Sequence, residues 1–331
     1  MMESGSRLKT LFLTMFLGSV LLSISLTDIR MQNILEENYV RRLSLALSNG
    51  GCKATPAKLP DPPFDHPVAF VASYPGSGAR MTWNLIEALT GLVTGDDWNT
   101  NGHGRNVVTV KTHYPQKNGQ LVSFADEIPR VVLIVRNIKN AMPSLHNFRY
   151  EDKHRLENHS TRAPLEAWIQ WRNQFFAEEL ESWMQHLTYW VDKYPSTKRL
   201  VLAYEDMTDD RKGPISAVKI GSFLSQEKGV EPFPRSSVRC IWDVVVKNKG
   251  DKTGNAKLEG AKYYVGNDPN EPSSLRKGGT TNKPCTKFQI DSMIGVMTSL
   301  KEKYGKNEGE FELIQILDMY LNSLNDMEHD H

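Results

Sequence analysis

Cysteine is scarce in this chain, with three among 331 residues. Neither these nor the nine histidines fall at the spacing of a metal site, so no metal is expected. An excess of one charge is missing too. Forty basic side chains face 39 acidic ones, for a net charge of +1. A general nucleic-acid binder normally carries a strong basic excess, so no nucleic-acid partner is expected. Internal repeats are absent. Long apolar runs are absent with one exception, Leu8 to Leu26, where Lys9 is the only charge.

That run is just long enough to span a bilayer, and short spans suit the thinner membranes of the early secretory pathway. Basic residues ahead of it, Arg7 and Lys9, place the amino terminus on the cytoplasmic side. The reading is a cytoplasmic tail at 1–7, a signal-anchor transmembrane helix at 8–26, a stem at 27–66 and a folded domain at 67–325. Ser23-Ile24-Ser25 offers a cleavage context, so a removed signal peptide and a secreted product form the alternative. A buried helix of the domain is a third. Both leading readings put the domain in the secretory lumen. Cys240 and Cys285 are then candidates for pairing, with Cys52 in the stem, and Asn158-His159-Ser160 is a glycosylation sequon.

The domain opens with three short β-branched runs that each end in polar residues. Val68–Ala72 leads into Ser73-Tyr74-Pro75-Gly76-Ser77-Gly78, followed by a helical stretch at Met81–Leu92. Val107–Val110 leads into Lys111-Thr112-His113-Tyr114-Pro115. Arg130–Val135 leads into Arg136-Asn137-Ile138-Lys139-Asn140-Ala141-Met142-Pro143-Ser144, with a helix from Ala141 and Pro143 in its first turn. Such runs read as buried parallel strands, and ligands of open α/β sheets gather at their carboxyl ends. A strand that turns through glycines into a helix start leaves backbone N–H groups facing outward, with the positive end of the helix dipole behind them. Gly76 and Gly78 let a phosphate approach, Ser77 adds a hydroxyl, and Ala79 and Arg80 follow in the helix start. No lysine follows Gly78, which argues against the Gly-x-x-x-x-Gly-Lys-Ser/Thr loop of nucleoside triphosphatases.

In their order and wording these segments resemble the sulfotransferases that use 3'-phosphoadenylyl sulfate (PAPS). Tyr204-Glu205-Asp206-Met207 and Arg276-Lys277-Gly278 are similar to two further signatures of that family. Ser-Tyr-Pro-Gly-Ser-Gly with Ala88-Leu89-Thr90-Gly91 is nearest to the WSC-domain-containing sulfotransferase-like branch, though no cysteine-rich WSC module is present. The resemblance implies an α/β fold, a three-layer sandwich around a mainly parallel sheet, of the P-loop-like sulfotransferase type. It implies PAPS as sulfuryl donor and a hydroxyl acceptor, here expected to be carbohydrate, in the Golgi lumen on a single-pass type II membrane protein. Nothing in the sequence fixes the oligomeric state.

Sulfuryl transfer needs a base for the acceptor hydroxyl, cations for the leaving phosphate and anchors for the nucleotide. His113 is the expected base and Lys111 the expected cation, both on one side of a strand. Gly76, Ser77, Gly78, Ala79 and Arg80 are expected at the 5'-phosphate. Arg136 and Ser144 are expected at the 3'-phosphate, with Arg276, Lys277 and Gly278 closing over it. Tyr204 is expected at the adenine or in the core, and Trp242 is expected to stack on the base. The chain departs from the best-known cytosolic members at Gly76, where those carry a lysine that bridges toward the leaving oxygen. Lys111 or Arg80 then has to supply that charge. A membrane-anchored protein that binds nucleotide without turnover is the second reading.

Overall fold

In the computed structural model the described residues are 57–156, 163–231, 234–247 and 284–328. Five strands form one sheet: β1 (Ala69–Ser73), β2 (Gly95–Asp96), β3 (Thr109–Thr112), β4 (Val131–Val135) and β5 (Arg199–Ala203). Their spatial order is β2-β3-β1-β4-β5, and every pairing is parallel. The eight helices used below are α1 (Ala79–Thr90), α2 (Ile138–Lys153), α3 (Leu165–Lys193), α4 (Tyr204–Met207), α5 (Gly213–Leu224), α6 (Arg235–Trp242), α7 (Lys287–Tyr304) and α8 (Phe311–Glu328).

The strands are short and apolar because both sheet faces are covered. Alternation sends Phe70, Ala72, Val131, Leu133 and Val135 into a core shared with α2, α3, α7 and α8. It sends Ala69, Val71, Val132 and Ile134 into a second core shared with α1, α5 and α6. Burial of each such Val or Leu contributes about 1.5–3 kcal/mol. The expected three-layer α/β sandwich is the observed fold. The aromatic stripe on the long helix α3 is also core, with Trp168, Phe176, Trp183 and Trp190 all buried.

Several local expectations change. Pro143 lies in the second turn of α2 rather than its first, because Asn137 caps the helix ahead of Ile138: its side chain accepts from Lys139 N at 3.1 Å. The chain joins the sheet layer before Pro67, where Lys58 exchanges main-chain hydrogen bonds with Gly91 and Val93. Cys285 is a free thiol, so it does not pair with Cys240, which is disulfide-bonded. Burial pushes the Cys285 thiol up to about 11, which keeps it protonated. No described helix is long and apolar enough to cross a membrane. The anchor, most of the stem and the Asn158 sequon lie outside the described residues.

Candidate active site

β1 is the central strand, so the turn after Ser73 is flanked by the ends of β3 and β4. The turn is tight. Ser77 N donates to Tyr74 O at 3.1 Å, and Gly76 and Gly78 take φ of 81° and 89°, the left-handed region that favours glycine. Gly76 is required by packing as well. A Cβ there would lie 2.7 Å from Ala141 O and 3.0 Å from Leu145 N, so the glycine lets the turn rest on the backbone of α2. A Cβ on Gly78 would meet the Tyr204 ring at 2.6 Å. The first amide of α1 to find a carbonyl in its own turn is Thr82 N, on Gly78 O at 3.0 Å. The helix start has no side-chain cap and no acid in its first turn. Ser77 Oγ beside it is buried without a partner. This is the arrangement that favours an anion at a helix N-terminus.

Arg136, the residue after β4, closes the other side. Its Nη1 donates to Gly76 O, and its guanidinium lies 4.2 Å from the centre of the Tyr204 ring. Trp183 of α3 donates to Arg136 O at 3.2 Å. Ser144, on α2, faces Gly76, with its Cβ 3.1 Å from where a Gly76 Cβ would be. Gly76, Gly78, Arg136, Ser144 and Tyr204 therefore meet at one place. Tyr204 opens α4 and serves as the floor of this group. Glu205 next to it accepts from Asn140 Nδ2 at 3.2 Å and from Tyr320 OH at 2.7 Å, which fixes α4 to α2 and α8.

His113 follows β3. Its Nδ1 lies 2.6 Å from Ser73 O. A carbonyl only accepts, so Nδ1 carries the proton and Nε2 keeps its lone pair. Burial, and then the neighbouring Lys111 charge, pull the imidazole down to about 3, against the hydrogen bond to Ser73. At neutral pH the ring is uncharged. Lys111 is lowered too, by burial, with Asp97 and Asp96 opposing and Arg80 adding to the fall. The turn after β1 thus touches His113 through Ser73 and Arg136 through Gly76. Ala79 and Arg80 open α1 beside it.

Two groups escaped sequence reasoning. Asp97 is buried against the end of β3 and accepts from Thr112 Oγ1 at 2.8 Å. The adjacent acids Asp96-Asp97 were the only signal. His186 of α3 is buried, with Nε2 unpartnered. It lies on the helix face between Trp183, bound to Arg136 O, and Trp190, bound to Tyr114 O at 2.7 Å. Burial above all, and then the nearness of His113, depress His186 to about 3. Its helical spacing from the two tryptophans was legible, but that spacing marks a core face.

Trp242 is corrected. It is fully buried in α6, donates to Met207 O at 2.8 Å and packs on Gly213, so as folded its ring is closed to a nucleotide base. Core packing claims the ring. Arg276, Lys277 and Gly278 lie outside the described residues. Among the described residues no group of His, Cys, Asp and Glu is placed to hold a metal ion.

Residues 100–279 match the sulfotransferase domain family, a stretch that includes Lys111, His113, Arg136, Ser144 and Tyr204 and begins after the glycine turn. A crystal structure of mouse sulfotransferase SULT7A1 complexed with PAP is similar at 18% identity, covering 78% of this chain and 89% of that one, with a TM-score of 0.46. No curated protein sequence matches the chain. With more than half its length matched by the family, the chain belongs to the sulfotransferases.

Proposed function

We propose that this protein transfers a sulfuryl group from PAPS to a hydroxyl acceptor, with His113 as general base. The observation that carries the reading is the meeting of the glycine turn, Arg136, Ser144, Lys111 and His113 at the carboxyl edge of one parallel sheet. The uncapped start of α1 and the buried Ser77 hydroxyl suit the 5'-phosphate. Arg136 and Ser144 suit the 3'-phosphate, with Arg276, Lys277 and Gly278 assigned there by their sequence. Tyr204, as the floor, suits the nucleoside side.

In this reading His113 Nε2 takes the acceptor proton while Ser73 O holds the ring. A donor's negative charge nearby favours the imidazolium and raises the value of about 3 toward working pH. Lys111, with Arg80, supplies positive charge to the leaving phosphate oxygen in place of a lysine at 76. The acceptor is proposed to be carbohydrate and the setting the Golgi lumen, on a type II anchor at 8–26. The WSC-type branch is proposed on the wording of the first motif together with Ala88-Leu89-Thr90-Gly91.

The closed space at Gly76 favours a second reading, a nucleotide-binding protein without turnover. One experiment separates them. The full chain is incubated with labelled PAPS and a panel of glycans and other hydroxyl compounds, and its melting is followed with adenosine 3',5'-bisphosphate. Label on an acceptor supports the enzyme. A melting shift without label supports the second reading, because any ligand that prefers the native state raises its stability. Neither result rejects both.

A further inference from the structure

Asp97 has no part in the chemistry above, yet it is 1% exposed and stands where β2 gives way to the loop beside β3. Its Oδ2 accepts three hydrogen bonds: from Thr112 Oγ1 at 2.8 Å, Gln120 N at 3.0 Å and His113 N at 3.4 Å. Its main-chain oxygen accepts from Gln120 Nε2 at 2.9 Å. Thr112 Oγ1 in turn accepts from Tyr114 N at 2.9 Å. The main chain on both sides of His113 is thus pinned through one carboxylate. The second oxygen, Oδ1, is buried and has no hydrogen-bond partner.

A loop staple needs only acceptors, which an amide supplies as well. Burying a carboxylate with one oxygen unmet is costly unless its charge is answered nearby. The groups that bear on Lys111 are Asp97 and Asp96 from the β2 side, Arg80 from α1 and His113 from the same strand end. Lys111 has no ion pair within 4 Å among the described residues. Its ammonium is therefore stabilised over distance by two acids and opposed by one arginine.

Resting on the assignment of β3's end as the transfer centre, we propose that Asp97 is a positioning residue. Its carboxylate locks the main chain that presents His113, and its charge, held against the two residues that follow Lys111, is a counter-charge to the buried Lys111 ammonium. Removal of that charge alone frees the amine at lower pH, because desolvation then goes less opposed.

The test is Asp97→Asn in the full chain, read by the rate at which acetic anhydride acylates Lys111 from pH 7 to pH 11. Mass spectrometry of the Lys111 peptide follows the reaction, since only the neutral amine reacts. The expected result is a midpoint lower by about one unit, so that Lys111 reacts about tenfold faster near neutral pH. An unchanged midpoint in a variant with native melting overturns the proposal. The readout needs no turnover, so it stands apart from whether the protein transfers sulfate. Should Asp97→Asn fail to fold, Thr112→Val removes the 2.8 Å bond, together with those to Gln120 O and from Tyr114 N, with little change of shape. Nitrogen-edited NMR of His113 is then expected to show mixed tautomers. A single Nδ1-protonated ring, as in the parent, overturns the positioning role.

Discussion

Arg136, one residue past β4, and His113, one residue past β3, stand at the same sheet edge but are fixed by different means. Around Arg136 the fit is steric. Gly76 and Gly78 leave no room for a Cβ against α2 and Tyr204, and the guanidinium fills the space between them. Around His113 the fit is electrostatic. A carbonyl sets the ring, a buried acid pins the strand end, and Lys111, Asp96 and Arg80 supply opposing charges. Changes at the first place should act on packing and ligand affinity with little pH dependence. Changes at the second should act on rate and on pH behaviour.

The largest effect is expected at His113. His113→Ala should slow transfer about 10²–10⁴-fold in an assay with labelled PAPS. Its melting shift with adenosine 3',5'-bisphosphate should persist, because the nucleotide anchors lie on the Arg136 side. Next comes Gly76→Lys. Introducing the lysine of the cytosolic relatives should not raise turnover; it should cost about 2–4 kcal/mol in urea unfolding, from the positive φ together with the clash on α2. Arg136→Met should weaken the bisphosphate about 10–100-fold by calorimetry, through loss of charge-assisted hydrogen bonds. Equal loss of affinity in His113→Ala and Arg136→Met would abolish the distinction between the two strand ends.

Smaller effects test the buried neighbours. His186 is depressed to about 3 from an ordinary 6.5. Above pH 6.5 the ring is neutral in both folded and unfolded chains, and no stability is lost. Between 6.5 and 3 only the unfolded chain takes the proton, so stability falls as pH falls, by roughly 1.4 kcal/mol per pH unit. His186→Asn should flatten that acid slope in urea melts at pH 6.5 and pH 5. Trp242→Phe should cost about 1 kcal/mol, for the lost bond to Met207 O, and leave bisphosphate affinity as it was. A tenfold loss of affinity there would return Trp242 to the nucleotide.

The strand ends were legible because each is written in contiguous residues: an apolar run, then glycine, histidine or arginine. Asp97 and His186 were not, because what makes them matter is distant in sequence. Asp97 gains its role from Thr112, His113 and Gln120 across a two-residue strand too short to leave a pattern. His186 shares the spacing of a core stripe, and only the sheet order brings it beside His113. The reason for glycine at 76 was also hidden. The sequence suggested room for a phosphate, and the backbone of α2 occupies the place a side chain would take.

That seat of α2 against the turn bears on descent. A lysine at 76 is accommodated only if the helix withdraws, and the withdrawal would carry Ser144 away with it. Two lineages that differ at this position should therefore differ in where the whole helix rests. The docking of the helix, rather than the single letter, is the inherited trait to compare when active members are sorted from those that have lost turnover.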